Sequence, residues 1–442
     1  MNFVETIKAA GAACVNDSLP VLLEPGDAVR CLILNAVSTE PLVETDRCLC
    51  VMQPGRVVAA AAVIAENIGS KRTVIAVSAD DRSAAQALAQ AIAESHAPVE
   101  LFLTEPFYPA GDELVLTRLV TSRVVPERGT VREVRCALIN IEEALDILAA
   151  LEGTAVTDRY LTVTGKVKEP LLLKVPIGTR LSECLAAAQA EPDTALIVGG
   201  PMRGRVMMSP SAAQAEVVTK MTASLSVLPR EHPLFARAKQ PLDTALRRAR
   251  STCEQCRMCT EFCPRYGLGH RIRPDRIMRG LCREGELSDG GTYADAFGDA
   301  LNCCFCGVCD AVCPMGLQPR RVNAHFCGEL KKRGSLVPRV KEPVPRGKPG
   351  GIDTVRLTVL LGLSEYGRFH DYAYRELSTD EVIIPFAQRL YRPAQPLKQV
   401  GDVVKKGELL AKDGSFAGIH ASIDGTVTKI SKNGACIKSM KG

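Results

Sequence analysis

The chain has 442 residues and a mass of 47.5 kDa, a length that predicts several domains rather than a single core. Its 55 Lys and Arg residues against 50 Asp and Glu residues leave a net charge of only +5, which argues against a general nucleic-acid-binding protein. The longest apolar run, residues 57–65, is too short to span a bilayer, and no secretory signal is visible. We therefore expect a cytoplasmic protein without a transmembrane segment.

Residues 1–155 alternate between strand-like and helix-like segments. Apolar runs at 31–34, 73–77, 99–103 and 137–139 predict strands, and the segments at 55–67, 83–94 and 141–151 predict helices. Asn140 and Glu143 have capping-box spacing at the start of the last helix. Strands separated by helices of this length predict a parallel α/β domain whose sheet is covered by helices.

The rest of the chain predicts three further domains and one connection. Residues 156–235 predict a β-grasp, because strands at 160–165 and 171–176 are joined by a polar turn and followed by a short helix at 181–188. Residues 236–335 are helical and rich in Cys. Residues 336–379 begin with Pro, Gly and basic residues and predict an exposed linker or wrapping segment. Short strands and Gly turns in residues 380–442 predict a small barrel-sandwich domain.

Two runs of cysteines carry the clearest chemical signal. Both have the spacing C-x-x-C-x-x-C-x-x-x-C-P, which is typical of bacterial ferredoxins that hold [4Fe–4S] clusters. In two-cluster ferredoxins the fourth Cys of each run binds the other cluster. We therefore predict cluster 1 on Cys253, Cys256, Cys259 and Cys313, and cluster 2 on Cys303, Cys306, Cys309 and Cys263. Cys304 falls outside this register and is expected to be a free thiol beside the site.

A zinc ribbon or a structural Cys cluster is the alternative, although zinc sites usually separate two C-x-x-C pairs by a long gap. From Arg247 to Arg279 the chain has nine Arg and three acidic residues. Because a cluster held by four thiolates is anionic, these guanidinium groups are expected to stabilise it and raise its potential. An ordinary solvated basic face is the alternative interpretation. Two clusters with crossed ligands predict the transfer of single electrons.

Several segments together carry a family resemblance. They are residues 108–113 (YPAGDE), 198–202 (VGGPM), 218–220 (VTK), both Cys runs and residues 419–425 (IHASIDG). In this order of modules the chain resembles the cobalamin reductase family of propanediol-utilisation microcompartments, and it is similar to the C subunit of the Rnf complex. The first domain is more distantly similar to the flavin subunit of complex I. A barrel at the C-terminal end favours the microcompartment family.

This resemblance implies non-covalent FMN and NADH oxidation in the first domain, followed by electron transfer through two clusters. Carried over by position, it assigns the FMN and NADH site to Asn35, Glu40, Tyr108, Gly111 and Glu113. The expected glycine-rich phosphate loop is missing, because residues 12–20 contain no Gly and include Asp17, which would repel a phosphate. A second expected Gly pair is replaced by Ala223-Ser224. FMN is therefore doubtful, and two alternatives stay open: a domain without flavin, or a flavin site rebuilt from other residues.

The resemblance implies electron transfer from NADH, directly or through a flavoprotein, to a corrinoid or another acceptor. The alternative is a non-flavin relay or scaffold subunit in a microcompartment or Rnf-like complex. Expected partners are a corrinoid enzyme, an adenosyltransferase or a flavoprotein, and microcompartment shell proteins, which would place the chain inside a microcompartment. Phe3, Ile7, Ala10 and Cys14 share one helical face, which indicates either an encapsulation peptide or the first helix of domain one.

Overall fold

The computed structural model of the chain describes residues 2–12, 29–208, 210–287, 290–366, 371–388, 394–412 and 418–440. The first domain has strands β1 (Cys31–Ala36), β2 (Thr73–Ser78), β3 (Glu100–Thr104), β4 (Phe107–Tyr108) and β5 (Cys136–Asn140). Its helices are Phe3–Ala9, Thr45–Met52, Pro54–Asn67, Arg82–Ser95, Glu113–Thr121 and Ile141–Leu151. Four of the strands form a parallel sheet in the order β3-β2-β1-β5.

Strands β1, β2 and β5 are buried on both faces of this sheet, as their continuous apolar sequences predict, whereas the edge strand β3 is partly exposed. Leu32 and Leu34 of β1 lie in the core under helices Pro54–Asn67 and Ile141–Leu151, whereas Ile33 points into a second core under helix Glu113–Thr121. The predicted parallel α/β domain is confirmed, and the predicted capping box between Asn140 and Glu143 is present at the start of helix Ile141–Leu151. Ile7 of the first helix is buried in the first of these cores, while Cys14 lies outside the described residues.

The next domain is a six-stranded sheet. Its strands are β6 (Asp158–Gly165), β7 (Leu171–Pro176), β8 (Thr194–Val198), β9 (Arg205–Met207) and β10 (Ser224–Pro229), joined by β12 (Ala373–Glu376). The order is β12-β7-β6-β10-β8-β9, with β6 and β7 as the predicted hairpin. Helices Leu181–Ala187 and Pro210–Ala215 belong to the same domain.

The cysteine-rich domain is helical, as predicted. Its helices are Pro233–Lys239, Leu242–Thr252, Met258–Glu261, Pro264–Gly267, Pro274–Gly280, Gly290–Phe297, Val308–Ala311 and Pro319–Lys332, with 3-10 turns at Leu281–Glu286 and Gly298–Asn302. A small aromatic core holds them together, in which the rings of Phe297 and Phe326 stack with centroids 3.7 Å apart. Most of these helices have at most two turns, so the domain depends on packing and on the cysteine loops more than on helix propensity.

The sequence predicts an exposed linker or wrapping segment at residues 336–379, and in the structure this segment packs along other domains. The segment first runs along the first and cysteine-rich domains, where the Arg346 amide donates to the Gly267 carbonyl at 2.9 Å. It then forms β11 (Ile352–Asp353), which pairs with β4, helix Thr354–Leu360, a 3-10 turn at Ser364–Tyr366, and the β-grasp strand β12. Because its backbone groups pair with the first domain, the β-grasp and the cysteine-rich domain, it fastens the three together.

The C-terminal domain consists of two small antiparallel sheets. Its strands are β13 (Glu381–Pro385), β14 (Gln395–Pro396), β15 (Val403–Val404), β16 (Leu409–Lys412), β17 (Ile419–His420), β18 (Gly425–Ser431) and β19 (Gly434–Lys438). One sheet has the order β13-β19-β18-β15 and the other β14-β16-β17. Gly401 and Gly407 occupy left-handed turns with φ of +97° and +86°, which suits the predicted Gly turns.

Across the described ranges, no single helix has the length and apolar character needed to cross a membrane. Helices Thr45–Met52 and Pro54–Asn67 reach that length and composition only as a pair, and the pair is bent by 101°.

Candidate metal centres and the adjoining cavity

The first group of predicted cluster ligands lines one cavity of about 380 Å³ of empty volume. Cys253 and Cys256 lie in the loop after helix Leu242–Thr252, Cys259 lies in helix Met258–Glu261, and Cys313 reaches the cavity from the other run. Burial raises the pKa of the Cys259 thiol to about 12, and the charges of Asp275 and of the other three thiols add to the rise. The structure thus brings these four side chains together.

The second group is also brought together. Burial raises the pKa of Cys309 well above the ordinary thiol value, and the nearby charges of Cys303 and Cys263 contribute to the rise. Cys306 is near the same thiols, because Cys263 and Cys309 raise its pKa after the larger effects of the Cys304 hydrogen bond and burial. Cys304, which the spacing predicts to be a free thiol beside the site, lies against Cys306.

Both cysteine loops follow the same backbone path. In the first loop Gln255 and Arg257 have φ of 54° and 66°, and in the second loop Phe305 and Gly307 have φ of 54° and 82°. These are matching positions of the two runs, and non-glycine residues are uncommon in this left-handed region. The spacing of the cysteines, rather than the residues between them, therefore sets the path of each loop.

The two groups are adjacent but differ in exposure. The charge of Cys259 in the first group contributes to the raised pKa of Cys309 in the second. Cys256 is exposed, whereas Cys263, Cys306 and Cys309 are all buried. The first group therefore faces the surface and the second faces the interior of the protein.

The arginines around the first run are mostly neutralised. Six of the nine form ion pairs with carboxylates: Arg250, Arg257, Arg265, Arg271, Arg273 and Arg279. Arg273 and Arg279 share Asp275, whose carboxylate also accepts a hydrogen bond from Thr260. Arg265 differs from the other five because its side chain is buried; it lies two residues after Cys263. Most of these arginines are therefore paired with carboxylates, and one of the pairs, that of Arg265, is buried beside the second cysteine group.

A cavity of about 850 Å³ of empty volume lies at the carboxyl ends of β1 and β5; we call it the first-domain cavity. Of the five residues assigned to FMN and NADH, Asn35, Glu40, Tyr108 and Gly111 line it, whereas Glu113 is not among the lining residues. Glu113 instead lies in the first turn of helix Glu113–Thr121, which Asp112 caps by accepting the amides of Leu114 and Val115. Four of the five assigned residues therefore share one cavity, and Glu113 lies outside its lining.

The side chains that line this cavity also hold its walls together. The Asn35 amide nitrogen donates to the Gly111 carbonyl at 3.0 Å, and a Cβ at Gly111 would lie 2.7 Å from the Val37 carbonyl oxygen. The Glu40 carboxylate accepts the amides of Met202 and Arg203 at 2.7 and 3.1 Å. Burial raises the pKa of Glu40, and these two amides oppose the rise. Glu40 therefore fastens the β-grasp loop to the first domain.

The described wall of the cavity does not fit a flavin phosphate. Five acidic side chains line it, against two guanidinium groups: Glu40, Asp46, Asp112, Glu142 and Glu143 face Arg159 and Arg203. Arg159 already pairs with Glu142 at 3.0 Å. A phosphate needs cationic or backbone donors, which carboxyl groups do not supply. The predicted loss of the phosphate loop concerns residues 12–20, of which 13–20, including Asp17, lie outside the described residues.

Two polar contacts join the cavity to the second cysteine group. The Tyr108 hydroxyl, buried in the cavity wall, donates to the Cys306 carbonyl at 2.7 Å. Asp112, also in the wall, forms a bidentate ion pair with Arg265 at 2.5 and 3.0 Å. Sequence reasoning missed both contacts, because the partners are more than 150 residues apart. The only signal was that Tyr108 and Asp112 belong to a motif of the resembled family and Arg265 to a Cys run.

Comparison with known proteins agrees with this architecture. The Nuo51 FMN-binding domain matches residues 16–149, the 4Fe-4S dicluster domain matches residues 252–318, and the RnfC barrel sandwich hybrid domain matches residues 374–441. Cobalamin reductase PduS of Salmonella typhimurium is 33% identical over an alignment that covers 97% of this chain and 94% of that protein. The chain belongs to the cobalamin reductase PduS family. The PduS of Citrobacter freundii is similar at 32% identity over the same shares of the two chains.

More distant relatives share parts of this PduS-family chain. The Na⁺-translocating ferredoxin:NAD⁺ oxidoreductase complex of Acetobacterium woodii has a C subunit that is 25% identical over 58% of the chain and 55% of that protein. A crystal structure of an NAD⁺-reducing [NiFe]-hydrogenase covers 76% of this chain and 62% of that chain, with 19% identity and a TM-score of 0.45.

These matches confirm the predicted family, the multi-domain fold and the two [4Fe–4S] clusters, and they support an electron-transfer role. The zinc alternative is set aside by the dicluster match. The FMN-binding domain match makes FMN plausible, while the acidic wall of the first-domain cavity opposes its phosphate.

Proposed function

We propose that the chain carries single electrons from the first-domain cavity, through cluster 2 and then cluster 1, to an acceptor at the surface beside Cys256. Cluster 1 is held by Cys253, Cys256, Cys259 and Cys313, and cluster 2 by Cys303, Cys306, Cys309 and Cys263. When bound, [4Fe–4S] clusters accept and release one electron each. The observation that carries the proposal is the Tyr108–Cys306 hydrogen bond, which joins the cavity wall directly to a residue of the inner cysteine group.

The chain's own residues favour this direction. Tyr108, Asp112 and Arg265 form a dry junction between the cavity and the second cysteine group, because all three are buried. Arg265 supplies a fixed positive charge beside Cys304 and Cys306. Asp112 offsets this charge, so the junction places a buried ion pair, not a net charge, beside cluster 2. The exposed Cys256 gives the outer group contact with a partner.

The donor is a reduced nicotinamide, acting directly or through a flavoprotein partner. The acceptor is a corrinoid or a corrinoid-handling protein, such as an adenosyltransferase, by likeness to relatives that are cobalamin reductases. The setting is a cytoplasmic microcompartment, in which shell proteins are further partners. The packing of the first helix through Ile7 onto the domain core supports its role as part of that domain.

Crossed ligation gives the sharpest test of the metal sites. In protein purified without oxygen, Cys313→Ser is expected to remove the cluster 1 signal and leave cluster 2, although Cys313 belongs to the second run. Cys263→Ser is expected to do the reverse. Cys282→Ser is the control, because this exposed Cys belongs to neither run. Iron analysis and EPR of the dithionite-reduced protein measure both clusters, and loss of the cluster belonging to the variant's own run would overturn the crossed assignment.

A relay or scaffold subunit without flavin is the second candidate, and the acidic cavity wall favours it. Flavin released by denaturing the protein, together with NADH oxidation by an artificial acceptor, separates the two. One FMN for each chain with NADH turnover would reject the relay without flavin. Clusters that are reduced only when a partner flavoprotein is added would support it.

A further inference from the structure

A second cavity lies between the β-grasp and the cysteine-rich domain. It shares no lining residue with the first-domain cavity, although Met202 in its floor donates its amide to Glu40 of that cavity. It has about 1000 Å³ of empty volume. We call it the arginine groove. Its floor is apolar, formed by Ile197, Met202, Val206, Leu234 and Leu361. The part of this space that water-sized molecules can occupy is about 330 Å³, at the lower end of the range of known small-molecule sites.

The rim of the arginine groove is cationic. Arg237, Arg320 and Arg321 line it, and Asp310 is its single acidic residue, so the formal charge of the lining residues is 3 − 1 = +2. This is the opposite of the first-domain cavity, where acidic residues outnumber guanidinium groups. An apolar floor with several guanidinium groups on one rim suits a flat ring compound that carries a phosphate.

The three arginines of the groove differ in how many hydrogen bonds they make within the described residues. Arg320 pairs with Asp310 at 3.4 Å and donates to the Met202 carbonyl, and Arg321 donates to the Gln240 carbonyl at 2.7 Å. Arg237 is exposed, and among the described residues its guanidinium donates no hydrogen bond. Arg320 and Arg321 are thus held in place by hydrogen bonds, while the exposed Arg237 interacts with Asp310 only through its charge and can turn toward a bound anion.

The groove also lies directly behind the second cysteine group. Gly307, between Cys306 and Cys309, lines it, and a Cβ at Gly307 would lie 3.3 Å from both Arg320 Nη1 and the Met202 methyl group. Asp310 is 3.8 Å from the Cys309 sulfur and also accepts the Arg320 amide at 2.8 Å. A molecule in the groove would therefore be separated from this group by little more than one turn of backbone.

We propose that the arginine groove binds a mononucleotide-sized molecule, with its ring system on the apolar floor and its phosphate on Arg237, Arg320 and Arg321. Flavin mononucleotide and adenine nucleotides share this chemistry. The proposal does not depend on the donor or the acceptor of the electron-transfer function, because it concerns equilibrium binding alone.

The test is a titration of FMN fluorescence with oxygen-free full-length protein, repeated with riboflavin, which lacks the phosphate. Arg237→Gln is expected to weaken FMN binding by about 10- to 100-fold, the loss of one charge-assisted hydrogen bond. Ala238→Asp places a carboxylate at the groove and is expected to weaken FMN binding several-fold. Ala236→Asp is the matched control, because Ala236 is exposed on the same helix but does not line the groove.

Each outcome decides for or against the groove. FMN affinity unchanged in Arg237→Gln and Ala238→Asp would overturn the proposal and move the flavin elsewhere. Riboflavin binding as tight as FMN would overturn the phosphate contact. No binding of FMN or AMP below about 1 mM would overturn the site altogether. AMP that displaces FMN would assign the groove to nucleotides in general, and FMN that binds without displacement by AMP would assign it to flavin nucleotides.

Discussion

Asp112 and Arg265 form a buried ion pair between the first domain and the cysteine-rich domain, and Asp112→Asn measures its contribution. The two side chains are 6% and 9% exposed. Burial acts to raise the pKa of Asp112, but Arg265 outweighs it, so that the pKa is lowered and the carboxylate is charged near neutral pH. Asn retains an oxygen that can accept the amides of Leu114 and Val115, so the substitution removes the charge while keeping the helix cap.

Without Asp112 the guanidinium of Arg265 stays buried and uncompensated, which costs about 3–5 kcal/mol. If about 150–250 residues unfold together, that loss corresponds to a fall in Tm of roughly 6–20 °C. The double variant Asp112→Asn/Arg265→Met removes both charges and is expected to recover much of the loss, because a buried pair replaced by apolar groups is often nearly neutral.

Thermal unfolding followed by circular dichroism without oxygen gives the four Tm values of this double-mutant cycle. Glu261→Gln is the control, because Glu261 forms an exposed pair with Arg257, in which the side chains are 55% and 48% exposed. Its loss is expected to cost about 1 kcal/mol or less. Asp112→Asn that melts within about 2 °C of the unchanged protein, or a double variant less stable than Asp112→Asn, would refute the reasoning.

Three further predictions test other parts of the structure. Tyr108→Phe leaves the Cys306 carbonyl without its hydrogen-bond donor, so we expect the free energy of unfolding to fall by about 1–3 kcal/mol. We also expect the variant to slow the reduction of cluster 2 by the physiological donor but not its reduction by dithionite. Burial raises the pKa of Asp146 to about 7, so the destabilising effect of its charge grows from about pH 4 to pH 7. Asp146→Asn should therefore raise Tm more at pH 8 than at pH 5.5. An equal change in Tm at both pH values would contradict this. Gly200→Ala would place a Cβ 2.1 Å from Glu40 Oε1, and we expect it to lower Tm at least as much as Glu40→Gln.

Local signals predicted the parts of the fold that depend on local physics. The four strands of the first-domain sheet begin within two residues of their predicted starts, because each is an apolar run; β1, β2 and β5 are also almost fully buried. The capping box at Asn140 predicted the start of its helix. The cysteine spacing indicated which thiols lie near one another: Cys313 lines the cavity of the first run, and Cys263 lies near Cys309 of the second. The exchange of the fourth ligand stays a prediction.

Long-range pairing left no comparable signal. β12 adds to the β-grasp sheet beside β7, about 200 residues earlier in the chain, and β11 pairs with β4 over only two residues. Strands this short have too little pattern to distinguish them from loops. The acidic character of the first-domain cavity was also hidden, because Asp46 and Glu142 come from separate helices that meet only in the folded chain.

The difference in exposure between the two cysteine groups supports the proposed order of electron transfer, which ligand spacing alone does not indicate. The spacing of the two runs is identical, so in sequence the clusters are interchangeable. In the fold, the inner group lies beside the buried Arg265–Asp112 ion pair and a hydrogen bond from Tyr108, whereas the outer group opens to solvent at Cys256. Hydrogen bonding and exposure to water are both known to shift cluster potentials. Two identical motifs therefore acquire different environments, and an electron that arrives from the first-domain cavity meets the buried group before the exposed one.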